Sequence, residues 1–214
     1  MVWAETRKLG LAVGKINHNG NDGWFSVFHY EPAGNIVFMG DENRLFHKNV
    51  RPLKESVLPI LAQDDQNLQI DKLTARSETS ELDIEHEELA NLALVLHNEL
   101  RDRHLDTGSL VIDADCCKTA QYVADLKARE LTDEQFSAGP DFVHSRPDQR
   151  KGYGENIAYT THPSKRKAVE VAIEGFYAEI EDYNWSNPTS VPAGKQVGHF
   201  TQVSSLLKIL CLNF

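Results

Sequence analysis

A chain of 214 residues with 32 acidic against 22 basic side chains carries a formal net charge of -10, and it is long enough for one well-buried core or for a domain of ~150 residues with an appendage. The acid excess repels phosphate backbones at long range and argues against a nucleic-acid partner. No run approaches the roughly 18 apolar residues of a membrane span, and Cys116, Cys117 and Cys211 form neither a disulfide framework nor a zinc spacing, which fits a reducing compartment.

The opening residues hold charges and glycines where a signal peptide needs an apolar stretch, and Val2 stands where N-myristoylation needs glycine. In "KLGLAVGKI" Leu9, Leu11 and Val13 alternate with Gly10, Ala12 and Gly14, and "WFSVFHYEP" alternates with aromatic and β-branched residues. Two strands are predicted, joined through "NHNGNDG", whose asparagine and glycine tolerate positive φ. The result is a β-hairpin, which "EPAGN" then turns out of its second strand.

From residue 55 to 84 the pattern dissolves into a polar, aperiodic linker. At about Ile84 the period changes: Leu89, Leu92, Ala93, Leu96 and Leu100 recur at helical spacing, predicting a helix that ends near His104. Asp113 is placed to cap a second helix with Cys117, Ala120, Ala124, Ala128 and Leu131 along one face. "FVHSRPDQRKGYGEN" reads as loop, Ile157 to Thr160 as a short strand, and Ser164 as the cap of a third helix running to about Tyr183.

The third helix carries an anomaly. At about 100° per residue, Ala168, Ala172, Phe176, Ile173 and Ile180 form one apolar arc, and Glu179 falls inside it. A buried carboxylate costs several kcal/mol unless it is paired, so Glu179 either bends out to water at the edge of the arc or takes partners from elsewhere in the chain. His144, Glu155 and His199 are the candidates, each in or beside a loop.

Taken in order, "HNELR" at 97 to 101, "GENIA" at 154 to 158, "FYAEIEDY" at 176 to 183 and "GHFTQV" at 198 to 203 resemble the signatures of the CAP superfamily of cysteine-rich secretory, antigen five and pathogenesis-related proteins. "VWAETRKLGLAVGK", "FSVFHYEPAGNIV" and "NVRPLK" resemble the C-terminal third of its intracellular, Golgi-associated branch. The order is therefore permuted. Residues 1 to 54 supply the back of a CAP domain, 55 to 84 a linker and 85 to 203 the front, and 204 to 214 form a tail outside the family pattern. A flexible linker of about 30 residues spans roughly 30 Å, enough to close such a domain within one chain. A homodimer exchanging parts, a cut from a tandem array or an incomplete product are the alternatives.

The resemblance implies an α+β fold, a three-layer α-β-α sandwich, with a cleft whose two histidines and two glutamates fall on His144, Glu155, Glu179 and His199. Such a set offers nitrogen and oxygen ligands for zinc or another divalent ion, or a hydrogen-bonded fastening of helices to sheet. No cofactor is required by the pattern, and no G-x-S-x-G nucleophile motif is present. The expectation is a non-catalytic CAP-domain binding or interaction protein with no catalytic residues, the alternative a metal-dependent hydrolase using the tetrad. Kinship also implies lipid, sterol or anionic membrane surfaces as partners. The cytosol or the cytosolic face of the Golgi is the expected location, with an extracellular one as the alternative.

Overall fold

The computed structural model describes residues 1–36, 41, 43–56, 81–138 and 143–201, with the backbone alone at 81–84 and 138. Most of the linker and the whole tail at 204 to 214 lie outside these residues, as does Cys211.

Strands β1 (Lys8–His18) and β2 (Asn21–Glu31) form the expected hairpin. Its turn is tighter than the seven residues "NHNGNDG": pairing continues down to His18 opposite Asn21, leaving Asn19 and Gly20 at φ 50° and 78°. Two consecutive positive φ angles match the right-handed twist of the strands, the reason Asn-Gly favours two-residue hairpins. Lys15 meets Asp22 at 2.7 Å across the strands near the turn.

After the short helix α1 (Arg44–Asn49) comes α2 (Glu81–Asp102), which starts three residues before Ile84. The two-residue strand β3 (Val111–Ile112) leads into α3 (Ala114–Glu130), with Asp113 accepting from the backbone N–H of Asp115 at 3.1 Å and Cys116 at 3.0 Å. Helix α4 (Asp133–Ala138), strand β4 (Gly154–Thr160), helix α5 (Lys165–Ala178) and the one-turn α6 (Gly198–Thr201) complete the described chain. Ser164 caps α5 through the N–H of Lys167 at 3.3 Å. The chain leaves α5 through a 3-10 turn, Glu179–Asp182, so the helical spacing that reached Tyr183 spans two kinds of helix.

The sheet order is β3-β1-β2-β4, with β1 parallel to β3 and β2 antiparallel to β4. The N-terminal hairpin is thus the centre of a four-stranded sheet whose outer strands are encoded some hundred residues later. Helices on both faces make the fold α+β. Leu9, Leu11, Phe28 and Tyr30 face one layer with Leu89, Leu92, Ala93, Ile173 and Phe176. Alternation sends Ala12, Ile16, Phe25, Val27 and Ile157 to the other, against Ala120, Val123 and Ala124 of α3.

Helix α3 is turned from its expected face. Cys116, Thr119 and Val123 are buried with Ala120 and Ala124, while Ala128 is exposed. Gly10 is the cause: a Cβ there would lie 2.3 Å from the Cys116 carbonyl carbon, so the bare glycine lets the first turn of α3 rest on β1. No described helix is long and apolar enough to cross a membrane.

Candidate functional site

Glu155 stands in register with His29 across β2 and β4. Its carboxylate is 1% exposed and takes four hydrogen bonds. His144 Nδ1 at 2.9 Å and the Ser145 N–H at 2.9 Å reach Oε1, and His29 Nε2 at 3.0 Å and the Ser145 hydroxyl at 2.6 Å reach Oε2. Burial alone would raise this carboxyl, but the bonds from His144 and His29 outweigh it and hold the group well below the usual carboxylate range. An ionised carboxylate only accepts, so both imidazoles donate to it. The fully buried His29 keeps an Nδ1 without a hydrogen-bond partner.

Glu179 closes α5 and opens the 3-10 turn. Its Oε1 lies 2.6 Å from His199 Nδ1, and its Oε2 accepts the Phe200 N–H at 3.0 Å, one of the amides that a helix start such as α6 leaves free. The His199 ring stacks on Phe176 with centroids 4.7 Å apart. The carboxylate expected to need partners has two, and its side chain is 15% exposed. Beside it runs a groove of about 230 Å3 between β4 and α5, walled by Ala158, Ala172, Gly175 and Phe176 and ended by Glu179 and His199.

The four residues expected to share a cleft form two pairs, His144 with Glu155 and Glu179 with His199. Glu155 and Asn156 point to opposite faces of β4, and Asn156 connects the layers by donating to the His199 carbonyl at 3.1 Å and the Tyr30 hydroxyl at 3.3 Å. Among the described residues the three ligating groups that converge within 4.8 Å are Glu31, Asp113 and Cys116, none of them from the tetrad. Lys8 already bridges the first two at 2.7 and 3.2 Å. Within the tetrad both carboxylates are occupied by protein donors, while each imidazole uses Nδ1 and keeps Nε2.

His29 and Ser145 escape a reading based on the tetrad alone. Position 29 carries a signal nonetheless, since it follows Phe25 and Val27 at the inward phase of β2. A second buried network also lies in the helix stripe. His97 donates Nδ1–H to the Ala93 carbonyl at 2.7 Å and accepts the Tyr30 hydroxyl at 2.9 Å, and burial brings its pKa down to about 3. Arg101, 0% exposed, donates to the carbonyls of Met1 at 2.8 Å, Trp3 at 3.1 Å, Thr6 at 3.1 Å and Gly108 at 2.8 and 2.6 Å. These bonds fasten the N-terminal segment to α2.

A family model described as the cysteine-rich secretory protein family, CAP, matches residues 94–205. Protein PRY2 of Saccharomyces cerevisiae is 34% identical over 109 residues, which are 50% of this chain and 26% of that protein. The chain therefore spans about a quarter of the length of this curated relative. No solved structure matches it. Since the matched segment, 94–205, is more than half of the chain and contains all four tetrad residues, the protein belongs to the CAP, or cysteine-rich secretory protein, family.

Proposed function

We propose that this protein is a non-catalytic CAP-domain binding module that holds a lipid-class ligand, a single hydrocarbon chain, in the groove between β4 and α5. The supporting observation is the groove itself, about 230 Å3 with a wall of Ala158, Ala172, Gly175 and Phe176 and one polar end at Glu179 and His199. It is smaller than the ~300–1,000 Å3 of drug-sized pockets, which suits a narrow chain better than a fused-ring sterol. Each methylene taken from water into it would contribute about 0.8 kcal/mol.

Gly175 provides the test. A Cβ at this position meets nothing within 4 Å, so Gly175→Leu puts a side chain into the groove without disturbing the core. Displacement of a fluorescent fatty acid should show tight binding by the wild type and about a tenfold or greater loss in Gly175→Leu, the order expected when several methylenes are kept in water. Equal binding by both proteins would contradict the reading.

A divalent ion is a second reading, favoured by the way each imidazole is oriented through Nδ1 by a carboxylate, the usual outer arrangement of a metal-binding histidine. His144 and His199 would hold zinc or a similar ion through Nε2, with Glu155 and Glu179 as orienting groups, and the ion would supply Lewis acidity. Calorimetric zinc titration should then show binding that His144→Ala with His199→Ala abolishes, and equal binding by the double variant would contradict this reading. The hydrolase alternative has less support, because Glu155 is buried under four donors and Glu179 is committed to His199 and Phe200, so neither carboxylate is free to activate a water.

The permuted, Golgi-associated type of domain is part of the same proposal. It is supported by the Val2 N–H, which donates to the Phe200 carbonyl at 3.1 Å, where the "GHFTQV" segment would run on into "VW". Joining residues 81–202 ahead of residues 1–56 should give a protein that melts like the original, and an unfolded product would contradict this part. Light scattering separates closure within one chain, a monomer, from exchange between two.

A further inference from the structure

On the side of α3 turned away from the sheet, a pocket of about 420 Å3 opens between the helix and the loop 146–151. Lys118 and Tyr122 line it from the helix, and Arg146, Asp148, Gln149 and Lys151 from the loop. In a chain of net charge -10 this pocket gathers three cations against one carboxylate. Arg146 meets Asp148 at 3.3 Å with both side chains 72% exposed, a contact that a stronger anion displaces readily. Lys118 and Lys151 make no ion pair among the described residues.

The loop is held in place before any ligand arrives. The buried Arg150 guanidinium donates to the Ser145 carbonyl, and Ser145 is itself fixed by its N–H and hydroxyl to Glu155. The Gln149 N–H closes a turn on the Arg146 carbonyl at 3.0 Å. Lys151 and Gly152 follow at φ 53° and 76°, reversing the chain at the pocket's rim. The backbone that carries Arg146 and Lys151 is therefore ordered before binding, and only their side chains remain to be immobilised.

We infer that this pocket binds a phosphate monoester on a small polyhydroxylated carrier. The guanidinium and the two ammonium groups meet the phosphate dianion. The pocket is larger than a phosphate alone needs, and the half-exposed Tyr122 phenol and the Gln149 NH2, whose Oε1 already accepts the Arg146 N–H at 2.9 Å, line it as partners for carrier hydroxyls. The same chemistry occurs in soluble sugar phosphates and in phosphorylated lipid headgroups. The inference stands apart from the groove beside α5.

Calorimetry with glucose 6-phosphate, with glucose as the uncharged control, addresses the soluble source. Sedimentation with phosphatidylcholine vesicles containing phosphatidylinositol 4-phosphate, whose monoester sits on a polyhydroxylated ring, addresses the membrane source. Saturable binding of either phosphate probe is expected, weakened by added salt and reduced about tenfold or more in Lys118→Gln with Lys151→Gln, because charge-assisted bonds are lost. Both lysines are exposed, so the double variant should keep its circular dichroism and melting midpoint. Gly175→Leu should bind the phosphate probe as the wild type does, which separates this site from the groove. Failure of both probes to bind the wild type, or equal binding by the double variant, would overturn the inference.

Discussion

Arg101 spends its guanidinium on backbone carbonyls alone, those of Met1, Trp3, Thr6 and Gly108. Burial lowers its pKa only to about 10, so it remains charged at neutral pH. Arg101→Ala leaves these buried acceptors unmet and should cost about 3–5 kcal/mol in urea unfolding, with Arg101→Lys recovering part of it. His97 and His104 set the response to acid. Burial brings them to about 3 and about 4, so both are neutral when folded. The unfolded chain takes up their protons from about pH 6.5 downward, so their share of stability is complete above that value and is lost as pH falls toward the folded pKa values. Glu155, held below the usual range, acts in the same direction below the ordinary carboxylate value. The melting midpoint should be flat above pH 7 and fall steadily to pH 4, with a shallower fall in His97→Gln. A midpoint that does not change from pH 7 to 4.5 would contradict the assignment. At this scale Glu179 was legible because a carboxylate inside an apolar arc demands partners. His97 and Arg101 were not, because polar side chains at stripe positions, four and eight residues after Ala93, look like the solvent face until their acceptors are known.

Local chemistry made several elements readable: Asn19-Gly20 for the hairpin, Asp113 and Ser164 for two helix starts, and the leucine period for α2. Strand β3 and helix α1 were not readable, since two and six residues carry no period and β3 exists by pairing with β1 across the fold. The orientation of α3 was missed for a related reason, the contact with Gly10 being remote in sequence. Gly10→Ala would press a methyl group into the Cys116 backbone and should destabilise the protein by about 1–3 kcal/mol. Gly175→Ala, where the new Cβ meets open space on a helix, should instead stabilise it by about 0.5–1 kcal/mol. Thermal melts of the two variants should therefore move in opposite directions.

The molecule as a whole is assembled from both ends of its described sequence. The family match covers 94–205, yet the two central strands lie at 8–31, outside it. Trp3 packs edge-on against Phe46 with centroids 5.4 Å apart, and both belong to the core that contains Leu92, Phe176 and Phe200. Bridges from Trp3 to Val50 and from Leu53 to His104 fasten the same segment. Composition could not reveal this arrangement, because strand pairing at such separation depends on which faces remain uncovered after the helices pack. The direct test is solution NMR of the whole chain, reading backbone contacts between β2 and β4. The account predicts cross-strand contacts in the register of Val27 with Ile157 and His29 with Glu155. A spectrum in which β2 contacts β1 but shows no contact to residues 154–160 would contradict it.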